Sequence, residues 1–232
     1  MIKLENVYKS FGKLEVLDNI NLKIEKGEFA VIWGPSGCGK STLLKIISSL
    51  EKPTKGNVVI GKNKVSSFIF QDIALFDWRN VEDNISFGLE IKKGKEKKNK
   101  IKKMIDFVGL NGFEKYYPFE ISGGMKQKVA LARALAVEPE NILMDEPFSS
   151  LDAITQKKMR EELIKIWDKT KKTIVFVTHN IEEALFLADK IIVLSKRPAK
   201  IIGEYKIKIP REKRMNNQEL FKLREEITKK LY

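Results

Sequence analysis

Nine consecutive residues, Gly34-Pro35-Ser36-Gly37-Cys38-Gly39-Lys40-Ser41-Thr42, follow the apolar run Phe29-Ala30-Val31-Ile32-Trp33 and match G-x-x-x-x-G-K-[ST]. Glycines in such a loop let backbone N–H groups turn toward phosphate oxygens. Lys40 then supplies a cation to the β and γ phosphates, and the Ser41 hydroxyl is placed to ligate Mg²⁺. The context this chemistry needs, a buried strand before and a helix after, is present in the pattern. A catalytic role for the Cys38 thiol is not expected there.

Three further apolar runs end on residues able to handle a phosphate, a metal or a proton. Phe68-Ile69-Phe70 ends in Gln71, Ile142-Leu143-Met144 ends in Asp145-Glu146, and Ile174-Val175-Phe176-Val177 ends in Thr178-His179. In a parallel sheet the carboxyl ends of the strands share one edge, where ligands bind. A carboxylate pair after a buried strand is costly unless a cation or a bound water uses it. In a nucleotide site Asp145 would hold Mg²⁺ and Glu146 would polarise the attacking water. His179, the only histidine, has a structural reading as a strand-end side chain and a functional one as a hydrogen-bond partner of the γ-phosphate. Sharing an edge with the other three endings favours the second. Ser122-Gly123-Gly124 opens a helical pattern running through Val129, Leu131 and Leu135. Ser122 is a good N-cap, and the two glycines leave N–H groups bare at the positive end of the helix dipole. Ordinary capping and a second phosphate-seeking terminus both fit that trio.

Positioning these residues calls for an α/β chain. Short apolar runs alternate with helical patterns, which predicts a largely parallel sheet. The opening differs: Ile2 to Val7 and Ile20 to Ile24 alternate with period two across a polar turn at Gly12-Lys13, which predicts an antiparallel, half-exposed layer. A helix is expected from about Lys40 to Leu50, with strands at Val58–Ile60, Ser67–Phe70, Ile142–Met144, Ile174–Val177 and Ile191–Leu194. From about Asn80 to Leu135 the pattern is helical, broken near Gly109 to Gly112 and at Pro118, and reads as a helical subdomain over about 80–135. Asp152 caps a helix to about Lys169, with Met159, Leu163, Ile166 and Trp167 at three- and four-residue steps. A helix from Ile181 to Ala188 and a last one over about Asn217 to Leu231, within 211–232, complete the reading as a single domain.

The chain of 232 residues is long enough to bury a core without staples, and its one cysteine excludes an internal disulfide framework. The longest apolar runs are five residues, against about 20 for a bilayer helix. Met1 to Glu5 lacks a signal-peptide layout, so a soluble intracellular protein is expected. The net charge of +13 lies in two stretches, Lys92 to Lys103 and Lys196 to Arg214. The first contains no aromatic, so nucleic acid is not the expected partner. A solvated Lys-rich helix face and an anionic surface remain its two readings.

In order and spacing these motifs resemble the ATP-binding subunit of ABC transporters, over essentially the whole chain. The resemblance sets Walker A at Gly34 to Thr42, the Q-loop at Gln71 and the signature at Ile121-Ser122-Gly123-Gly124-Met125. Walker B is at Ile142 to Glu146, the D-loop at Ser149-Ser150-Leu151-Asp152 and the switch histidine at His179. It implies a P-loop NTPase core with an N-terminal antiparallel layer and an inserted helical subdomain, binding ATP and Mg²⁺. Implied roles are adenine stacking for Phe11, catalysis for Glu146, His179, Lys40 and Gln71, and metal ligation for Ser41, Gln71 and Asp145. Two copies would pair head to tail, each ATP lying between one copy's Walker A and the other's Ser122-Gly123-Gly124, with Asp152 near the dimer contact. Ile121 replaces the usual Leu conservatively; Met125 replaces Gln and removes one polar contact to nucleotide.

A narrower similarity is to the nitrate/sulfonate/taurine importer branch. It rests on Leu75-Phe76-Asp77-Trp78-Arg79-Asn80-Val81, on Leu194-Ser195-Lys196-Arg197-Pro198 and on Phe221, Leu223 and Arg224. It implies integral membrane permease subunits as partners, an extracellular solute-binding protein in the system, and a peripheral place on the cytoplasmic face of the cell membrane. Trp78 has two readings, permease interface and core. A soluble ABC ATPase of translation or repair, an exporter ATPase, and a P-loop kinase or GTPase are the competing classes. The last does not account for the Ser122-Gly123-Gly124 helix start.

Overall fold

The computed structural model describes residues 1–61, 65–90, 95–214 and 217–231, with side chains described from 98 onward in the helix that starts at 95. It divides into two compact units, Met1–Lys64 with Ile166–Tyr232, and Val65–Lys165.

The first unit holds two sheets. In the N-terminal one, β1 (Ile2–Phe11) pairs antiparallel with β2 (Leu14–Ile24) and, on its other side, with β4 (Lys55–Ile60). β1 runs four residues past the alternation seen in the sequence, and the reason is local. Register shifts follow Leu4, Val7 and Lys9. Lys9 takes a buried position, its Nζ donating to Glu51 Oε1 at 2.7 Å and to the Lys52 carbonyl at 2.9 Å. A charged residue on the buried face breaks the period-two pattern while the strand continues.

The other sheet of this unit is built on β3 (Phe29–Trp33), between β7 (Thr173–Thr178) and β8 (Lys190–Leu194), all parallel. An antiparallel β9 (Ile201–Lys206) covers β8. All five residues of β3 are buried, as expected of a strand covered on both faces. Each fully buried Val, Ile or Phe there contributes roughly 1.5–3 kcal/mol. Register aligns Trp33 with Thr178, so the loop after β3 and the residue after β7 emerge side by side. Helix α1 (Lys40–Ile47) stops short of the expected Leu50 because Ser48 caps it and Ser49 turns left-handed at φ 63°. Helices α6 (Ile181–Leu187) and α7 (Gln218–Lys229) complete the unit.

The second unit contains a parallel pair, β5 (Ser66–Ile69) and β6 (Asn141–Asp145), with Ile69 opposite Met144. Phe70, expected at the strand end, lies just outside it. Around the pair are α2 (Val81–Ser86), α3 (Lys95–Val108), α4 (Gly123–Ala136) and most of α5 (Ala153–Thr170). The breaks expected at Gly109 to Gly112 and at Pro118 are a turn with left-handed glycines and a short 3-10 turn. Part of the Lys92–Lys103 run lies outside the described residues. In its described part Ile101 is buried while Lys98, Lys102 and Lys103 are exposed, an arrangement that both readings of the run require. Trp78 is 74% exposed, so its core reading does not hold.

Candidate active site

In the first unit the glycine loop leaves β3 and enters α1 through Gly39. That residue has φ 120°, and a Cβ on it would sit 2.9 Å from Val16 Cγ1, so only glycine fits. No side chain caps α1, and its first turn carries no acid. The N–H groups at its positive end are therefore offered to an anion. Lys40 is buried, its Nζ donating to the carbonyls of Gly34 at 3.0 Å and Pro35 at 3.1 Å. The cation is thus held inside the turn that phosphates would enter. Cys38 is buried, and burial pushes its thiol up.

His179 follows β7 directly. Its carbonyl accepts from Trp33 Nε1 at 3.0 Å. On the other side, Thr178 Oγ1 accepts from the Asn180 amide at 3.0 Å and donates to the buried Glu183 at 2.7 Å. Asn180 then caps α6 through its Oδ1. The switch position is fixed at its backbone by a strand end on one side and a helix cap on the other. A cleft of about 740 Å³ brings it together with Trp33, Gly34, Pro35 and Ser36, with Phe221 and Arg224 of α7 on the far wall. Phe11, at the end of β1, is 47% exposed, with Lys9 Nζ 4.5 Å from its ring centroid.

In the second unit the parallel register sets Gln71, two residues beyond β5, and Asp145-Glu146, at the end of β6, on one edge. Asp145 is buried. Glu146 adopts φ 44°, a left-handed conformation that costs on the order of 1–3 kcal/mol for a residue with a Cβ. Both the amide and the hydroxyl of Ser149 donate to its carbonyl, at 3.2 and 3.0 Å, and hold the bend. Strain of this kind re-aims a side chain at a strand end.

Ser122 caps α4 as its sequence implies, Oγ accepting from the Met125 amide at 3.3 Å. Gly123 and Gly124 pack so closely on Leu151 and Thr155 that a Cβ on either would approach to 3.0 Å. Asp152 caps α5, its Oδ1 accepting from the amides of Ile154 and Thr155 at 3.0 Å each. The Thr155 hydroxyl donates to its Oδ2 at 2.6 Å, and that bond first, then the amides, holds the Asp152 carboxyl below the usual carboxylate range. Gln127, which the sequence reading passed over, is buried and donates from Nε2 to the Pro147 carbonyl. It ties α4 to the segment just after Glu146. An amide on the buried face of α4 was the one signal available for it.

Among the described residues no group of three or more His, Cys, Asp or Glu forms a metal cluster. The hydroxyl, amide and carboxylate of Ser41, Gln71 and Asp145 are hard oxygen donors. Each is of the donor type that Mg²⁺ takes.

Residues 17–149 match the ABC transporter family model. An ABC transporter ATP-binding protein of Methanocaldococcus jannaschii is 45% identical, the match spanning 97% of this chain and 89% of that one. The aliphatic sulfonates import ATP-binding protein SsuB of Bacillus cereus is 46% identical over 96% of this chain and 89% of its own. Among solved structures, a dimeric ATP-binding cassette in a post-hydrolysis state with ADP and Pi superposes with TM-score 0.77 at 34% identity, covering 90% of this chain and all of that one. The chain belongs to the ABC transporter family, as one of its ATP-binding subunits, and its activity is ATP hydrolysis.

Proposed function

We propose that two copies of this chain pair head to tail on ATP and so drive an importer of nitrate-, sulfonate- or taurine-like small solutes. Each ATP is held between the Gly34–Thr42 loop of one copy and Ser122-Gly123-Gly124 of the other. Lys40 and the backbone N–H groups of the loop take the phosphates, Pro35 alone having none to give; Phe11 stacks on adenine. Ser41, Gln71 and Asp145 would hold Mg²⁺, which would supply charge neutralisation at the phosphates. Glu146 polarises the attacking water, and His179 hydrogen-bonds the γ-phosphate. Asp152 orders the D-loop near the pairing surface.

One observation carries this reading. Ser122 and Gly123 are exposed at the start of a fourteen-residue helix whose first turn has no acid. Such a terminus completes the charge stabilisation only when a second copy brings it to the phosphate, which makes closure and hydrolysis interdependent. The import direction and solute class are supported by relatives named for sulfonate, taurine and nitrate import. No described helix is long and apolar enough to cross a membrane. As a subunit of such an importer, this chain works with separate permease subunits, peripheral on their cytoplasmic face, and a solute-binding protein outside; the relatives' names as import ATP-binding proteins support that reading.

The surface proposed to meet the permease is aromatic. Phe76 lies 5.2 Å from Trp78 and 4.6 Å from Phe87 between ring centroids. Buried Asn84 pins this loop through the Phe76 amide at 2.9 Å and the Arg79 carbonyl at 2.8 Å. A rigid, exposed aromatic cluster suits the centre of a protein interface.

Glu146→Gln tests the core of the proposal. Hydrolysis should fall to background while ATP-dependent dimers accumulate in size-exclusion chromatography with light scattering. Turnover at the wild-type rate would remove Glu146 from the reaction, and a monomer at saturating ATP would remove the sandwich. Co-purification with ribosomes or DNA in place of an integral membrane protein would overturn the transport role.

A further inference from the structure

The segment Leu194-Ser195-Lys196-Arg197-Pro198 has no part in the site so far, yet one of its side chains reaches the glycine loop. Arg197 donates from Nε at 3.1 Å and from Nη2 at 2.8 Å to the same acceptor, the carbonyl of Gly37. We propose that Arg197 is a positioning residue of the phosphate loop, orienting the Gly37–Cys38 peptide so that its N–H faces the bound phosphates. The inference rests on the reading of Gly34–Thr42 as the nucleotide site.

In a trans peptide the C=O and N–H point to opposite sides. Fixing the Gly37 carbonyl outward on the guanidinium therefore turns the Cys38 N–H inward, where it meets the Pro35 carbonyl at a long 3.3 Å. So long a bond is readily exchanged for one to a phosphate oxygen, a stronger acceptor. Gly37 has φ 74°, a conformation in which the backbone of a glycine is free to rotate the peptide away. Something outside the loop has to hold it. A guanidinium on the carbonyl also polarises that peptide and strengthens its N–H as a donor.

The arm that carries Arg197 is itself fixed. Ser195 and Lys200 close the β8–β9 turn, with the Ser195 amide on the Lys200 carbonyl and the Lys200 amide on Ser195 Oγ, each at 2.9 Å. Ala199 is bonded on both sides to β2, through the Val16 carbonyl at 2.8 Å and the Asp18 amide at 2.9 Å. Val16 also backs Gly39. One ledge of β2 thus supports both the loop and the arm that clamps it.

The test measures ATP and ADP affinity and steady-state hydrolysis for Arg197→Ala, Arg197→Lys and Arg197→Gln, with circular dichroism melting as a control. Losing a charge-assisted contact should raise Kd for both nucleotides by about tenfold in Arg197→Ala. Turnover at saturating ATP should stay within about twofold, because no reacting atom is touched. Lys, which donates to the carbonyl and keeps the charge, should recover part of the affinity, and Gln less. Wild-type Kd in the Ala and Gln variants would overturn the proposal, as would a loss of turnover at unchanged Kd. Lys40→Ala run alongside separates the two readings. If it loses nucleotide while Arg197→Ala does not, only the positioning role fails. If neither variant affects binding, the site assignment itself is wrong.

Discussion

The indole Nε1 of Trp33 donates to the carbonyl of His179 at 3.0 Å, joining the strand that launches the glycine loop to the residue after the neighbouring strand. The two lie 146 positions apart in sequence. Trp33→Phe keeps most of the bulk and removes the donor. Turnover should fall about three- to tenfold with ATP affinity nearly unchanged, since the bond orients His179 and touches no phosphate. Stopped-flow hydrolysis beside equilibrium nucleotide binding would show the split; an unchanged rate would leave the bond structural.

Lys40 is buried with its ammonium on two loop carbonyls. Lys40→Ala should weaken ATP binding at least tenfold, by loss of a cation from a preformed anion site. Equal ATP affinity, measured by calorimetry, would count against the phosphate-loop assignment.

The Asp152 carboxyl is held below the usual carboxylate range chiefly by the Thr155 hydroxyl. A group whose folded pKa is depressed adds stability above its unfolded pKa and loses it as pH falls through the folded value. Thr155→Val keeps the methyl that Gly124 packs against and removes the donor. The Asp152 midpoint followed by carbon NMR should move up toward the ordinary value, and acid unfolding should begin at higher pH. A midpoint that stays put would show the two backbone amides to be sufficient.

Arg214 caps α6 from outside the helix. Nη1 donates to the carbonyls of Phe186 and Ala188 at 2.8 Å and of Leu185 at 3.2 Å. Burial draws its pKa down to about 10, and it stays charged at neutral pH. Arg214→Ala would leave buried carbonyls without their donor and should cost about 2–4 kcal/mol in denaturant unfolding. A loss below about 0.5 kcal/mol would show that water replaces the cap.

Trp78 stands largely clear of its own chain. Trp78→Ala should change stability by less than about 0.5 kcal/mol and still abolish co-purification of the membrane subunit. Retained assembly would move the permease contact elsewhere.

Local chemistry was legible in the chain. The glycine loop, the Ser122 and Asp152 caps and the acidic pair at the end of β6 are short patterns whose backbone needs are met by residues next to one another. Buried runs of three to five apolar residues mark β3, β6, β7 and β8 for the same reason. Where one buried charge interrupts a pattern, as Lys9 does in β1, the element outlasts its signal.

What only the tertiary structure decided are contacts between segments remote in sequence: Arg197 on Gly37, Trp33 on His179, Arg214 on the end of α6. Each joins a common side chain to a backbone carbonyl, and every residue type carries that carbonyl. No residue identity at the acceptor can announce such a bond; the path of the folded backbone creates it.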